Sequence, residues 1–374
     1  MAIVGERVEP TEAPAPAGDG PDSGKRHRSG WRRAWPFIRV VGGLALAGFA
    51  AWAVIGRKGE LAGATSYLED MDWVWLVVAI VLEIGSIVAY GALQRQILLS
   101  GDLDLGLPSS TAITLAYNSL TNSLPGGVAW GSLFSYHQFR RRGADETLSV
   151  WAIIADNACA AVTLAALATV GLVVAGSQSS SGLGVVAPTF GVIVGIVVVV
   201  VIAWRRGLLR SLATGVVGLV KRLTGRPRAT PRAVVDRTFG RLTAVTPSRR
   251  QWGIALTWAM ANWVLDCGCL VAAFGVVGAP VPWRGVLLAY GAGQLAANLP
   301  ITPGGLGVVE GSITIALVAY GGAEATTVAA VLVYRLLSFW VSLPIGWGTA
   351  VVLEIHRRSG RGEADAGQSD LVRA

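Results

Sequence analysis

Five charged side chains sit inside otherwise apolar stretches of this chain: Glu83, Asp156, Asp266, Glu310 and Arg335. An ionised group in hydrocarbon costs at least ~2.5 kcal/mol and persists only where it is paired or faces a wet cavity. At ~1.5 Å per residue, Glu83 and Arg335 each lie about 15 Å into their runs, the middle of a ~30 Å core. Their side chains cannot easily reach either surface, so each is a functional candidate. The competing reading is a structural ion pair, Glu310 with Arg335, that only staples helices. Asp156 with Asn157, and Asn262 with Asp266 one helical turn apart, read as corresponding polar faces. Cavity lining, proton coupling together with Glu83, and interhelical hydrogen bonding are all open to them.

Two proline-glycine-glycine breaks interrupt apolar sequence, NSLPGG ending at Gly127 and NLPITPGGLGVVEG ending at Gly311. Proline stops a helix and glycine lets the backbone turn, so each break predicts two half-helices meeting at membrane depth. A half-helix starting just after Gly126-Gly127 or Gly304-Gly305 would offer unpaired N–H groups and a positive dipole end, chemistry suited to a phosphate or carboxylate. The alternative for a single break is a hinge that only lets helices pack closely. No Gly-Lys-Ser/Thr follows either break, which removes a nucleotide-phosphate loop.

The elements that must carry these residues follow from run length. The 374 residues are 53% hydrophobic and 14% charged, against roughly 25% charged for a soluble globular chain, and the mean hydropathy is +0.55. Apolar runs at 37–55, 73–92, 148–175, 183–204, 252–278 and 325–353 approach or exceed the ~20 residues of a bilayer crossing. Between them, 108–139 and 285–320 each hold one break, with arms too short to cross. The fold class is therefore all-α and polytopic: about six full transmembrane helices plus two broken, re-entrant hairpins, with two kinked crossings as the competing assignment. A tail, 1–35, reads as disordered and cytoplasmic, the membrane domain spans 36–355, and a second cytoplasmic tail covers 356–374.

Charge orients the chain. Residues 205–250 hold twelve Arg or Lys against one acid, Asp236. With that loop, both tails, Arg95, Arg140–Arg142 and Arg357–Arg358 all inside, every basic cluster obeys the positive-inside rule. The same tracing makes the first hairpin dip from inside and the second from outside, as an inverted repeat would. Nucleic-acid binding is the weaker account of the basic loop. Cys159, Cys267 and Cys269 all lie in apolar runs and lack zinc spacing, so no metal or other cofactor is expected. No clustered nucleophile and base argues for an enzyme.

PGGLGVVEG at 303–311 followed by YRLLSFWVSLP at 334–344 resembles the integral-membrane region of lysylphosphatidylglycerol synthases and the stand-alone proteins that share it. The PGG-to-RRRG segment at 125–143 resembles the first-half motif of that family. The likeness covers roughly residues 36–355. It implies about eight membrane passes with re-entrant elements and an association with moving an aminoacylated phospholipid between leaflets. Carried over by motif, the site residues are Pro125, Gly126 and Gly127 in the first half and Pro303, Gly304, Gly305, Gly307, Glu310 and Arg335 in the second. The synthases carry a soluble transferase domain after this region, whereas few polar residues follow the last run here, so synthase activity is not expected. Many relatives have an acidic residue soon after the first PGG; here the stretch reads VAWGS, which implies a different lipid.

The combined expectation is a flippase-like translocase of the bacterial inner membrane, moving an anionic or modified phospholipid or glycolipid. Membrane lipids and a separately encoded lipid-modifying enzyme are the expected partners. The rivals are a non-transporting subunit that presents lipid to such an enzyme and an integral-membrane headgroup enzyme.

Overall fold

The computed structural model describes residues 71–124, 126–176, 247–297 and 302–355, with Pro303 described in its backbone only. The expected crossings at 37–55 and 183–204, both tails, nearly all of the basic loop and Pro125 lie outside the described residues. Among the described residues eight α-helices follow in order: α1 (Trp73–Leu99), α2 (Leu107–Ser123), α3 (Gly127–Arg141), α4 (Glu146–Gly176), α5 (Arg249–Val276), α6 (Trp283–Ala297), α7 (Val308–Ala319) and α8 (Glu324–Ile355). No strand occurs among the described residues.

Local sequence accounts for the boundaries. Asp72 caps α1 by accepting from the Val74 and Trp75 N–H groups. Ser248 and Gln251 close a reciprocal capping box on α5, so this helix begins at Arg249, inside the stretch read above as loop. Four helices, α1, α4, α5 and α8, are long and apolar enough to cross a membrane, matching four of the apolar runs. These helices are apolar nearly all round and leave large side chains such as Val74, Val77, Val81, Ile84, Val170 and Val173 exposed. Surfaces of that kind suit lipid rather than water.

The remaining four helices form two hairpins. At ~1.5 Å per residue the 17 residues of α2 and 15 of α3 give arms of about 25 and 22 Å. A Cβ on Gly131 of α3 would meet Tyr117 of α2, while one on Gly127 would fall on the Thr121 carbonyl, which fixes an antiparallel pair. In the second hairpin Gly293 lies against Ile313 and Val309, and Gly285 against Tyr320, the same arrangement for α6 and α7.

The hairpins enter the bundle from opposite ends. At one end, Leu98 and Leu105 near the start of the first hairpin pack with Phe139 at its finish and with Leu148 of α4, and Leu353 of α8 and Trp252 of α5 join them. At the other end, the Asp72 N–H donates to the Val276 carbonyl, and Gly285 of α6 touches Tyr320 after α7. The two tips meet in between: Gly304 lies against the Asn122 carbonyl, with room for no Cβ. The larger apolar core, around Leu270, Phe274, Tyr290, Ile313, Leu317 and Tyr334, surrounds the second hairpin.

Candidate functional site

The second break builds the site. Gly304, Gly305 and Gly307 all have positive φ, +61°, +68° and +80°, a region that costs an L side chain roughly 1–2 kcal/mol. The chain makes a short 3₁₀ turn at Pro303–Gly305 and becomes α-helical only at Val308, with Gly307 as cap. The half-helix thus starts two residues later than the Gly304-Gly305 motif alone suggests. Glu310 reaches back so that its Oε2 accepts the Gly307 N–H at 2.7 Å.

Arg335 closes the arrangement from α8. Its Nε donates to Glu310 Oε1 at 2.7 Å and its Nη2 to the Gly304 carbonyl at 3.0 Å. The guanidinium also stacks over the Phe339 ring, 4.4 Å from its centroid, and that ring lies against Gly304. The Arg335 side chain is 9% exposed and that of Glu310 20%. One cation therefore holds the exposed carbonyl of a broken helix, the acid that caps it and an aromatic face.

Immediately after Arg335, α8 makes a π turn over Leu336–Val341, a feature common at functional sites because it frees backbone carbonyls and re-aims side chains. The first hairpin supplies hydrogen bonds beyond that turn. Ser119 Oγ lies 3.2 and 3.0 Å from the Ser342 and Leu343 carbonyls, and Trp347 Nε1 donates to Ser123 Oγ at 3.0 Å. α8 thereby touches both breaks, one through Arg335 and the other through Ser342, Leu343 and Trp347.

Among the described residues, the first break has no comparable charge. Gly126 is the cap of α3 at φ +66°, exposed and with open space where a Cβ would go, while Gly127 is pressed against the Thr121 backbone. Gly127 thus has a packing reason to be glycine, whereas Gly126 has a conformational one.

The remaining polar residues fall into two buried clusters. Around Asp156 of α4, Tyr90 donates to Oδ1 at 2.7 Å and Gln94 to Oδ2 at 3.4 Å. Around Asp266 of α5, Oδ2 accepts from Tyr290 at 2.6 Å, Gln294 at 3.1 Å and Tyr334 at 3.2 Å. Glu83 of α1 lies opposite Asp266, between the contacts of Gly85 with Leu265 and of Leu82 with Gly268. Asn157 is exposed and donates to the Ile153 carbonyl of its own helix. Asn262 bonds Ser86 Oγ at 2.8 Å and tethers α5 to α1, so it does not share the Asp266 network. The tyrosines and glutamines are what sequence reasoning missed. Their signal was present: Tyr-Gly-Ala-x-Gln occurs at 90–94 and again at 290–294, placing Tyr and Gln one turn apart on a single face.

Comparison with known proteins agrees with this architecture. The family model described as the lysylphosphatidylglycerol synthase TM region matches residues 39–346. A UPF0104 membrane protein of Methanothermobacter thermautotrophicus is 25% identical over 325 residues, covering 82% of this chain and 92% of the relative.

Proposed function

Because the chain belongs to the lysylphosphatidylglycerol synthase TM region family, we propose that this multi-pass membrane protein is a lipid translocase rather than an enzyme. Its cargo is a phospholipid or glycolipid with an anionic phosphate, moved across the bacterial inner membrane. One observation carries the reading: two helical hairpins enter from opposite ends and meet at Gly304 and Asn122, with the buried cation Arg335 beside the contact. Broken helices meeting at a charge are the arrangement by which secondary transporters bind polar cargo midway across the bilayer. A lipid phosphate takes the place of Glu310 on Arg335, while the glycine caps at Gly126 and Gly307 leave backbone room for a headgroup to approach.

In this reading both hairpins are re-entrant, the two halves form an inverted repeat, and the runs at 37–55 and 183–204 bring the crossings to six. Charge supports the orientation. Arg95, Arg140, Arg141, Arg142, Arg249 and Arg250 gather at one end of the bundle, whereas the other carries Asp72, Arg284 and Glu324 among the described residues. The arginine-rich end faces the cytoplasm, with both termini.

Reconstitution tests the proposal. Purified protein in liposomes with fluorescent lipids bearing anionic, zwitterionic and cationic headgroups should move an anionic lipid. Arg335→Lys should slow that movement severely and Arg141→Ala should not, because a lysine keeps the charge but not the forked donors that Arg335 divides between Glu310 and Gly304. If no headgroup in the panel moves, a lipid-presenting partner subunit replaces the translocase.

A further inference from the structure

The two buried carboxylate clusters differ in how their oxygens are satisfied. Asp156 has a donor on each oxygen, Tyr90 on one and Gln94 on the other, and so is complete as an anion. Asp266 takes three donors on Oδ2 and leaves Oδ1 buried without any; Glu83, 9% exposed, likewise leaves Oε2 buried without a partner. These two carboxyl groups lie opposite each other on α1 and α5. The antiparallel contacts of Gly85 with Leu265 and Gly268 with Leu82 flank them.

Two carboxylates this close cannot both be ionised away from water. The orphaned atoms number one on each side, and one O–H between them would satisfy both. We propose that Glu83 and Asp266 form a proton site, Glu83 holding a single proton that it donates from Oε2 to Asp266 Oδ1, and that this proton is exchanged as lipid moves.

The neighbours assign the roles. Asp266 is the anion because Tyr290, Gln294 and Tyr334 converge on its other oxygen, and Glu83, whose Oε2 has no donor, is the acid. The titratable groups facing the pair are Cys267 and Cys269 of α5, Tyr290 of α6, and Tyr334 and Arg335 of α8. Arg335 is the one cation among them, and it acts on Asp266 as well as on Glu310. When water enters the site and the proton leaves, the two negative charges at Glu83 and Asp266, now hydrated, compete with Glu310 for the guanidinium, which loosens the contact at Gly304. Proton uptake restores it. The coupling half of this inference rests on the translocase reading; the proton site itself does not.

Infrared difference spectra of the purified protein test the site without transport. At neutral pH the unmodified protein should show one protonated-carboxyl C=O band that Glu83→Gln removes and Asp156→Asn leaves in place. Absence of the band, or a band indifferent to both Glu83→Gln and Asp266→Asn, overturns the proposal. Displacement of the band by sodium at constant pH also overturns it, in favour of a metal-cation site. In liposomes, a pH gradient should change the rate of lipid movement by the unmodified protein and not by Glu83→Gln. Lipid flux that ignores the gradient while the band is present refutes the coupling. A band that behaves as expected in a protein that moves no lipid upholds the proton site and retires the translocase.

Discussion

Replacing Glu310 with glutamine keeps the shape of the side chain at the second break and removes its charge. The single amide oxygen that remains can serve either Arg335 Nε or the Gly307 N–H, which Glu310 now satisfies with two oxygens, each at 2.7 Å. Arg335, 9% exposed, is left with the Gly304 carbonyl and the Phe339 ring. Removing one partner of a buried pair strands a charge and costs about 3–5 kcal/mol. The Arg141–Glu354 pair, with side chains 34% and 31% exposed, supplies the contrast, since truncating an exposed pair costs ~0.2–1 kcal/mol. At roughly 1.3 °C per kcal/mol for a chain of 374 residues, Glu310→Gln should lower the melting temperature by about 4–6 °C and Arg141→Ala by about 1 °C or less. The protein carries its own reporter, because Cys159, Cys267 and Cys269 are all free and buried and a thiol-reactive dye labels them as the bundle opens. Adding Arg335→Met should recover most of the loss, as an apolar replacement for a buried pair is nearly neutral. A Glu310→Gln shift no larger than that of Arg141→Ala would refute the argument that this pair is desolvated.

Three further outcomes follow from other sites. Gly127→Ala should destabilise the protein much more than Gly126→Ala, judged by the same dye, because the first meets the Thr121 carbonyl and the second only open space at positive φ. A cysteine at Arg141 should be labelled in sealed vesicles from the same side as one at Arg249, and one at Ala323 from the opposite side; a shared side for Arg141 and Ala323 would break the opposed-hairpin arrangement. Asp104 accepts both forks of Arg95 at 2.7 Å and the Gly106 N–H. Those bonds hold its carboxyl well below the usual carboxylate range, so its contribution is complete above about pH 4 and fades as pH falls below that. The stability gap between the unmodified protein and Asp104→Asn should accordingly be constant from neutral pH to about pH 4 and shrink in more acid buffer.

Much of this fold was legible because hydrocarbon thickness acts directly on sequence. The runs at 73–92, 148–175, 252–278 and 325–353 became α1, α4, α5 and α8, and proline with glycine marked both hairpin tips. What failed to show was which faces meet. A helix that is apolar all round gives no periodic stripe to read, so Asn262 and Asp266, one turn apart, were grouped although the first ties to Ser86 and the second to Tyr290. The start of α7 was misplaced for a different reason: three glycines at positive φ delay α-helical geometry until Val308, and the sequence does not say which glycine is last. Arg335 and Glu310 were recognisable as a pair because few charges lie at that depth. The Tyr-Gly-Ala-x-Gln duplicates went unread, because a tyrosine and a glutamine cost far less in hydrocarbon than a charge does and so draw less notice.

The hydrogen bonds from α2 to α8 span 223 and 224 residues of chain, and this sets an order of events during biosynthesis. Ribosomes add roughly 5–20 residues per second, so the first hairpin waits about 10–45 s before Ser342, Leu343 and Trp347 exist. Arms of about 25 and 22 Å fall short of the ~30 Å core by themselves, and during that wait the Asn122 carbonyl has no Gly304 to rest against. Backbone of this kind is tolerated at membrane depth only when protein or water surrounds it. If the hairpin is re-entrant, as proposed, it stays shallow until the last helix arrives.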